Sequence, residues 1–155
     1  MKAFMTNGTV DYLLQLQKES GISPFLIMHN HTKATAYYEG NGSSIFQTSR
    51  NYELVTSFGE LQEEGFGTLE YLTITTEGRP IFEAEEKQIK FHSLFEQHIF
   101  AYRLLRPVKG NEYVRFIEWK DKDSFEKSTI KQEKKAYQKG DSFTLKYDVG
   151  GLDIE

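Results

Sequence analysis

The chain of 155 residues has no cysteine, which excludes disulfides, thiolate nucleophiles and sulfur-ligated metals together. It has no excess of basic charge either: 19 Lys and Arg stand against 23 Asp and Glu, a formal net −4 with histidine neutral. Nucleic-acid binding rests on a clustered basic surface that neutralises phosphates, so no nucleic-acid partner is expected. The one basic run, Lys131 to Lys139, reads as a solvated helix face. No apolar stretch approaches the length of a bilayer span, and the opening "MKAFMTNGTVDY" turns polar too early for a secretory signal. The expectation is a soluble, cytoplasmic protein with no membrane partner. Also missing are a Gly-rich phosphate loop, a Ser-His-Asp arrangement and an HExxH motif.

What is present suffices for a core. Hydrophobic residues make up 38% and aromatics 14%, a composition of an ordered globular domain. Lys2 to Thr6 suits a strand. Thr9 can cap a helix carrying Val10, Leu13, Leu14 and Leu16, which Gly21 and Pro24 stop. "PFLIMHN" and "KATAYYE" follow as strands around a short turn, and "GNG" turns the chain into a fourth candidate strand, "SSIFQT". Within Ser49 to Glu64 a short helix is predicted around Tyr52 to Phe58, and a boundary near Gly65 separates residues 1–64 from 65–155.

The second half is more legible. Phe66 to Thr75 reads as a strand, and "EGRP" places Pro80 in the first turn of a helix predicted to reach Phe95. "HIFAYRLLRPVKGNEYVRFIEW" reads as strand, turn and strand, with Gly110 supplying a positive φ. Asp123 and Glu126 resemble a capping box for a second helix predicted to run to Lys139 with Gly140 as its C-cap, and "SFTLKYDV" closes the chain as a strand. The order β-α-β-β-α-β is the split βαβ, ferredoxin-like arrangement.

Both hairpin strands are apolar on both faces. Phe100, Tyr102 and Leu104 oppose Ile99, Ala101 and Leu105; Val114 and Phe116 oppose Tyr113, Ile117 and Trp119. Two helices cover one face, so the other must meet a second sheet. The fold class expected is therefore α+β, a ferredoxin-like domain at 65–155 packed sheet-on-sheet with a smaller α+β half at 1–64. A monomer with an internal pseudo-dimer is favoured over a homodimer.

The strings "YRLLRPVKGNEYVRFIEWKDKDSFEKS", "NGTVDYL", "NGSSIFQTSRNYELVTSFGEL" and "GFGTLEYLTITTEGRPIFE" resemble, in this order, the antibiotic-biosynthesis-monooxygenase superfamily. The similarity is to a branch of haem-degrading monooxygenases and TRAP-like signal-transduction proteins, over nearly the full length. The resemblance implies an alpha-beta barrel with a pocket between helices and sheet. In haem-degrading members that pocket uses an Asn on the domain's first strand and a Trp and haem-ligating His on its second helix. At the matching positions this chain has Glu70, Ser128 and Gln138. Serine and glutamine do not replace an imidazole on iron.

The residues left to carry chemistry are few. Glu70 shares a strand face with Phe66, Leu72 and Ile74, so it is either a pocket acid or a carboxylate that reaches water or a lysine. Phe125, Ser128, Thr129, Gln132 and Ala136 form a small, polar helix stripe, which either lines a polar cavity or packs loosely near solvent. Tyr137 adjoins the position of the family's His, and a tyrosinate can ligate haem iron. His29 and His31 read as turn residues, His92 and His98 as surface or cap residues, and Trp119 as a core or barrel residue; no metal site is expected. The candidate pocket is thus Glu70, Ser128, Thr129, Gln132, Tyr137 and Gln138. The partner expected is a hydrophobic or aromatic small molecule. No cofactor is required, and haem is a candidate substrate or ligand. The alternative is a non-enzymatic signalling or stress-linked interaction protein.

Overall fold

Thr9 accepts a hydrogen bond from the Tyr12 amide, and Gly21 closes the helix behind it at φ 66°, so the first helix begins and ends where its capping residues dictate. A computed structural model describes residues 1–89, 98–128 and 134–152. The elements are β1 (Lys2–Asn7), α1 (Val10–Ser20), β2 (Phe25–His29), β3 (Ala34–Gly40), β4 (Arg50–Gly59), β5 (Gly65–Ile74), α2 (Arg79–Glu86), β6 (Ile99–Pro107), β7 (Glu112–Trp119), α3 (Lys122–Glu126) and β8 (Gln138–Val149). Among the described residues no helix is long and apolar enough to cross a membrane.

The eight strands close into one antiparallel barrel in the order β1-β3-β2-β8-β5-β7-β6-β4, with β4 returning to β1. Read as halves, β4-β1-β3-β2 and β8-β5-β7-β6 repeat one strand order, that of a ferredoxin-like unit in which β3 or β7 lies between its neighbours in space. Where the second half places α3, the first has the irregular segment 41–49. The halves meet along two seams. One is long, from Tyr52 opposite Pro107 to Gly59 opposite Ala101. The other joins β2 to β8 through Met28 with Val149 and His29 with Asp148.

This closure answers the two-faced strands. Ala101, Leu105, Val114 and Phe116 pack inside the barrel with Met5, Tyr37 and Leu69. Tyr102, Leu104 and Tyr113 face outward against Phe82 of α2, and Trp119 faces outward against Phe66 and Phe125. Ile99 does not share the face of Ala101, as strict alternation predicts: the register shifts between them, and Ile99 joins the outer cluster. A bulge inserts one residue and reverses the side-chain parity beyond it.

Three local expectations are corrected. Residues 52–58 are not helical but belong to β4, which pairs with β1 on one side and β6 on the other; two ladders of hydrogen bonds outweigh a weak helical periodicity. The segment 43–48 is irregular rather than a strand, although Phe46 is buried against Phe25 and Tyr38. The last helix is capped by Asp121, whose side chain accepts from the Ser124 amide, and ends at Glu126. Gln138 already pairs with Ile74 in β8, and Gly140 sits within that strand at φ 69°. The helix predicted to Phe95 is observed to Glu86; residues 90–97, which include His92, and 129–133 lie outside the described residues.

Gly59 is a position only glycine can hold. Its φ is 72°, and a Cβ there would stand 2.0 Å from the Phe100 carbonyl oxygen, so the β4–β6 seam closes because that side chain is absent.

Candidate functional site

The period-2 alternation of β5 and β7 projects Thr68, Glu70, Arg115, Ile117 and Trp119 from the outer face of the barrel. Thr68 stands opposite Ile117 and Glu70 opposite Arg115. On the other side of β5, Glu70 faces Thr144 and Thr68 faces Lys146. Phe125 of α3 and Ser128 just beyond it close the far wall, which leaves a cleft of about 300 Å³, at the small end of ligand-binding pockets.

Trp119 and Phe125 meet at 5.5 Å between ring centroids and 69° between planes, an edge-to-face pair that fixes both rings. The indole Nε1–H donates to Thr68 Oγ1 at 3.1 Å, so the buried donor is satisfied and the ring is pinned in orientation. The Lys146 Nζ stands 5.4 Å from the Phe125 ring centroid.

The floor is ionic. Arg115 Nη1 donates to Glu70 Oε1 at 3.0 Å, and Ser142 Oγ donates to Glu70 Oε2 at 2.9 Å. Ser142 reaches Glu70 because β8 bulges between the partners of Tyr71 and Thr73. Behind the floor, Arg115 Nε and Nη2 also donate to Glu86 Oε1, and the Tyr102 hydroxyl donates to Glu86 Oε2 at 2.9 Å. Burial and the adjacent Glu86 push the Tyr102 phenol well above its ordinary range, so it remains a donor. Glu86, of α2, is 4% exposed and does not line the cleft, whereas the Glu70 side chain is 26% exposed and does.

A second pair of charges anchors α2 nearby. Glu83 accepts from Arg106 Nε at 2.9 Å and from the Tyr113 hydroxyl, and its Arg106 partner holds the carboxyl below the usual carboxylate range.

Of the residues singled out from sequence, Glu70 and Ser128 share this cleft. Thr129 and Gln132 lie outside the described residues. Tyr137 stands apart: its hydroxyl donates to Glu85 Oε2 at 2.6 Å, and its ring packs on Phe82. It is held there by close approach to Gly78, where a Cβ would fall 2.1 Å from Tyr137 Cβ. Gln138 opens β8 and donates to the Gly140 carbonyl at 3.2 Å. Glu70 is not an edge carboxylate paired with lysine; it lies on a strand flanked by β7 and β8, and its partner is Arg115. Trp119 is an outer-face residue and does not enter the barrel.

Arg115, Thr68, Thr144 and Glu86 were not foreseen. The signal for Arg115 was available: it falls between Tyr113 and Ile117 on the same face, a charge in an apolar row opposite another charge in an apolar row. Glu86 gave none, because only the packing of α2 turns it inward.

His29 Nε2 lies 2.8 Å from the Gly150 carbonyl oxygen, a structural contact at the short seam. His98 has φ 60°, the left-handed region that favours glycine. Among the described residues no group of three His, Asp or Glu side chains could hold a metal ion.

No family model matches the sequence. Among curated proteins, the chain is 25% identical over 118 residues to a haem-degrading monooxygenase of Listeria monocytogenes, covering 76% of this chain and 71% of that protein. It is 23% identical over 127 residues to the signal transduction protein TRAP of Staphylococcus aureus, covering 81% and 75%. Among solved structures, it is similar to a ferredoxin-fold protein of Listeria monocytogenes related to antibiotic biosynthesis monooxygenases, with TM-score 0.82, 24% identity and coverage of 97% and 95%.

Among the described residues that line the cleft, none carries an imidazole, thioether or phenol, so none of them can supply an axial ligand to haem iron.

Proposed function

We propose that this chain, a divergent relative of the antibiotic-biosynthesis-monooxygenase superfamily, is a binding protein for a small aromatic molecule seated between β5, β7 and α3. The observation that carries the reading is the cleft itself, two fixed rings over a hydrogen-bonded polar floor. Ligand sites have this composition: an apolar wall that supplies affinity and a few converging polar groups that fix orientation. On the correspondence drawn from sequence, Glu70, Ser128 and Gln138 stand where haem-degrading members carry Asn, Trp and His, and Gln138 begins a strand instead of lining the cleft.

The chain has one tryptophan, and it lines the cleft, so fluorescence excited at the red edge, where tyrosine does not absorb, reports on this site. One- and two-ring aromatic compounds titrated into the protein are expected to quench Trp119 saturably, with weaker quenching in Phe125→Ala. Haemin followed at its Soret band, with ascorbate added in air and catalase present, is expected to give no reductant-dependent decay. Absence of saturable quenching by any small aromatic would remove the binding reading and favour an interaction protein instead, a reading supported by the likeness to TRAP.

We further propose that the protein is a monomer, because the barrel closes within one chain. Light scattering at micromolar concentration should give the mass of a single 18.0 kDa chain; a stable dimer would overturn this.

A further inference from the structure

The cleft presents a ligand with one guanidinium and one carboxylate, but their fields do not cancel there. Arg115 is shared between two carboxylates, and Glu86, buried behind it, faces away from the cleft. Two carboxylates thus share one guanidinium, so the floor carries an excess of negative charge, and a molecule entering from the front meets that excess at Glu70. Glu70 can still take a donor, since a carboxylate offers about four lone-pair sites and its two oxygens hold one donor each from Arg115 and Ser142.

The wall opposite suits the same charge. Phe125 offers the negative face of its π-system, with Trp119 packed edge-to-face against it. The structure already contains an ammonium on that ring, the Lys146 Nζ over Phe125. Lys146 is exposed, so it can return to water at little cost when another cation takes its place.

Resting on the reading that the cleft binds an aromatic molecule, we infer that its ligand is a small organic cation, an arylalkyl- or alkylammonium, whose charged head meets Glu70 and the ring face of Phe125. A carboxylate ligand has no such place, because Arg115 is already engaged on both sides and Glu70 repels it.

The test is calorimetric titration of the full chain with benzylammonium, benzyl alcohol and phenylacetate, three probes of one size that differ in charge. Benzylammonium is expected to bind about tenfold or more tightly than either of the others. Glu70→Gln should bring it down to the level of benzyl alcohol while leaving the alcohol unchanged. Lys146→Met, an exposed change that does not threaten the fold, should tighten benzylammonium binding by removing a competitor. Glu86→Gln touches no ligand, yet it uncovers the Arg115 field and should weaken the cation. If phenylacetate binds as well as or better than benzylammonium, or Lys146→Met abolishes binding, the cation inference is overturned while the aromatic-site reading stands. If no probe binds, both fall.

Discussion

Glu118→Gln should leave the protein about as stable as wild type at pH 5 and clearly more stable at pH 8. Glu118 points into the barrel and is 0% exposed. Its Oε1 accepts from the Gln62 amide at 2.7 Å, and its Oε2 has no partner among the described residues. The nearby Arg103 is engaged elsewhere: it donates to Glu39 at 2.8 Å and to the Phe58 and Gly59 carbonyls at 2.7 and 3.1 Å. Burial therefore dominates and pushes the Glu118 carboxyl up from 4.5 to about 8. Because the folded value lies above the unfolded one, the stability tied to this group is fully present below pH 4.5 and is lost as pH rises towards 8. Each pH unit in that window costs at most about 1.4 kcal/mol. With relaxation of the site, the loss should be on the order of 2–4 kcal/mol. Glutamine keeps the acceptor for Gln62 and cannot ionise. Urea denaturation of both proteins at pH 5 and pH 8 checks this; parallel pH profiles would show that Glu118 titrates normally.

Glu86→Ala should destabilise the fold by about 3–5 kcal/mol, the usual cost of breaking a buried ion pair from one side. The substitution strips Arg115 of its buried partner and removes the acceptor of the Tyr102 hydroxyl, while Glu70 alone, a quarter exposed, compensates the guanidinium poorly. Replacing both partners, as Glu86→Met with Arg115→Leu, should recover part of the loss, since the buried guanidinium and its buried carboxylate then leave together, while Glu70 keeps Ser142 and its access to water. The chemical-denaturation midpoints of single and double variants decide it. A double variant no better than Glu86→Ala would mean that the pair is not coupled as its geometry indicates.

The two substitutions also separate two kinds of buried charge in this fold. Glu118 is buried in the barrel with one accepted hydrogen bond, and burial makes its charged form costly. Glu86 is buried under α2 with a guanidinium and a phenol. The first limits stability at alkaline pH; the second sets the electric field of the cleft.

The architecture was legible in the residues wherever a local signal and the global packing agreed. Thr9, Gly21, Pro80 and Gly110 mark element ends by their own conformational chemistry, and Val114 and Phe116 against Tyr113, Ile117 and Trp119 announced a sheet buried on both faces. The signal failed where a segment's partners lie far off in sequence. Residues 52–58 carry a pattern that suits helix or strand, and only β1 and β6 on either side decide it. The lysines before Gln138 and Gly140 after it look like a helix end, whereas pairing with Ile74 makes Gln138 part of a strand.

For the candidate site, the sequence by itself determined that a carboxylate, Glu70, stands on an otherwise apolar face, and that the chain has no cysteine and no recognisable metal-ligand set. The tertiary structure alone decided what that carboxylate faces. Arg115 lies 45 residues away along the chain, Ser142 reaches it through a bulge, and Glu86 turns inward because α2 packs that way. A charge's effect depends on distance and burial, and neither is written in the order of the residues until the barrel closes.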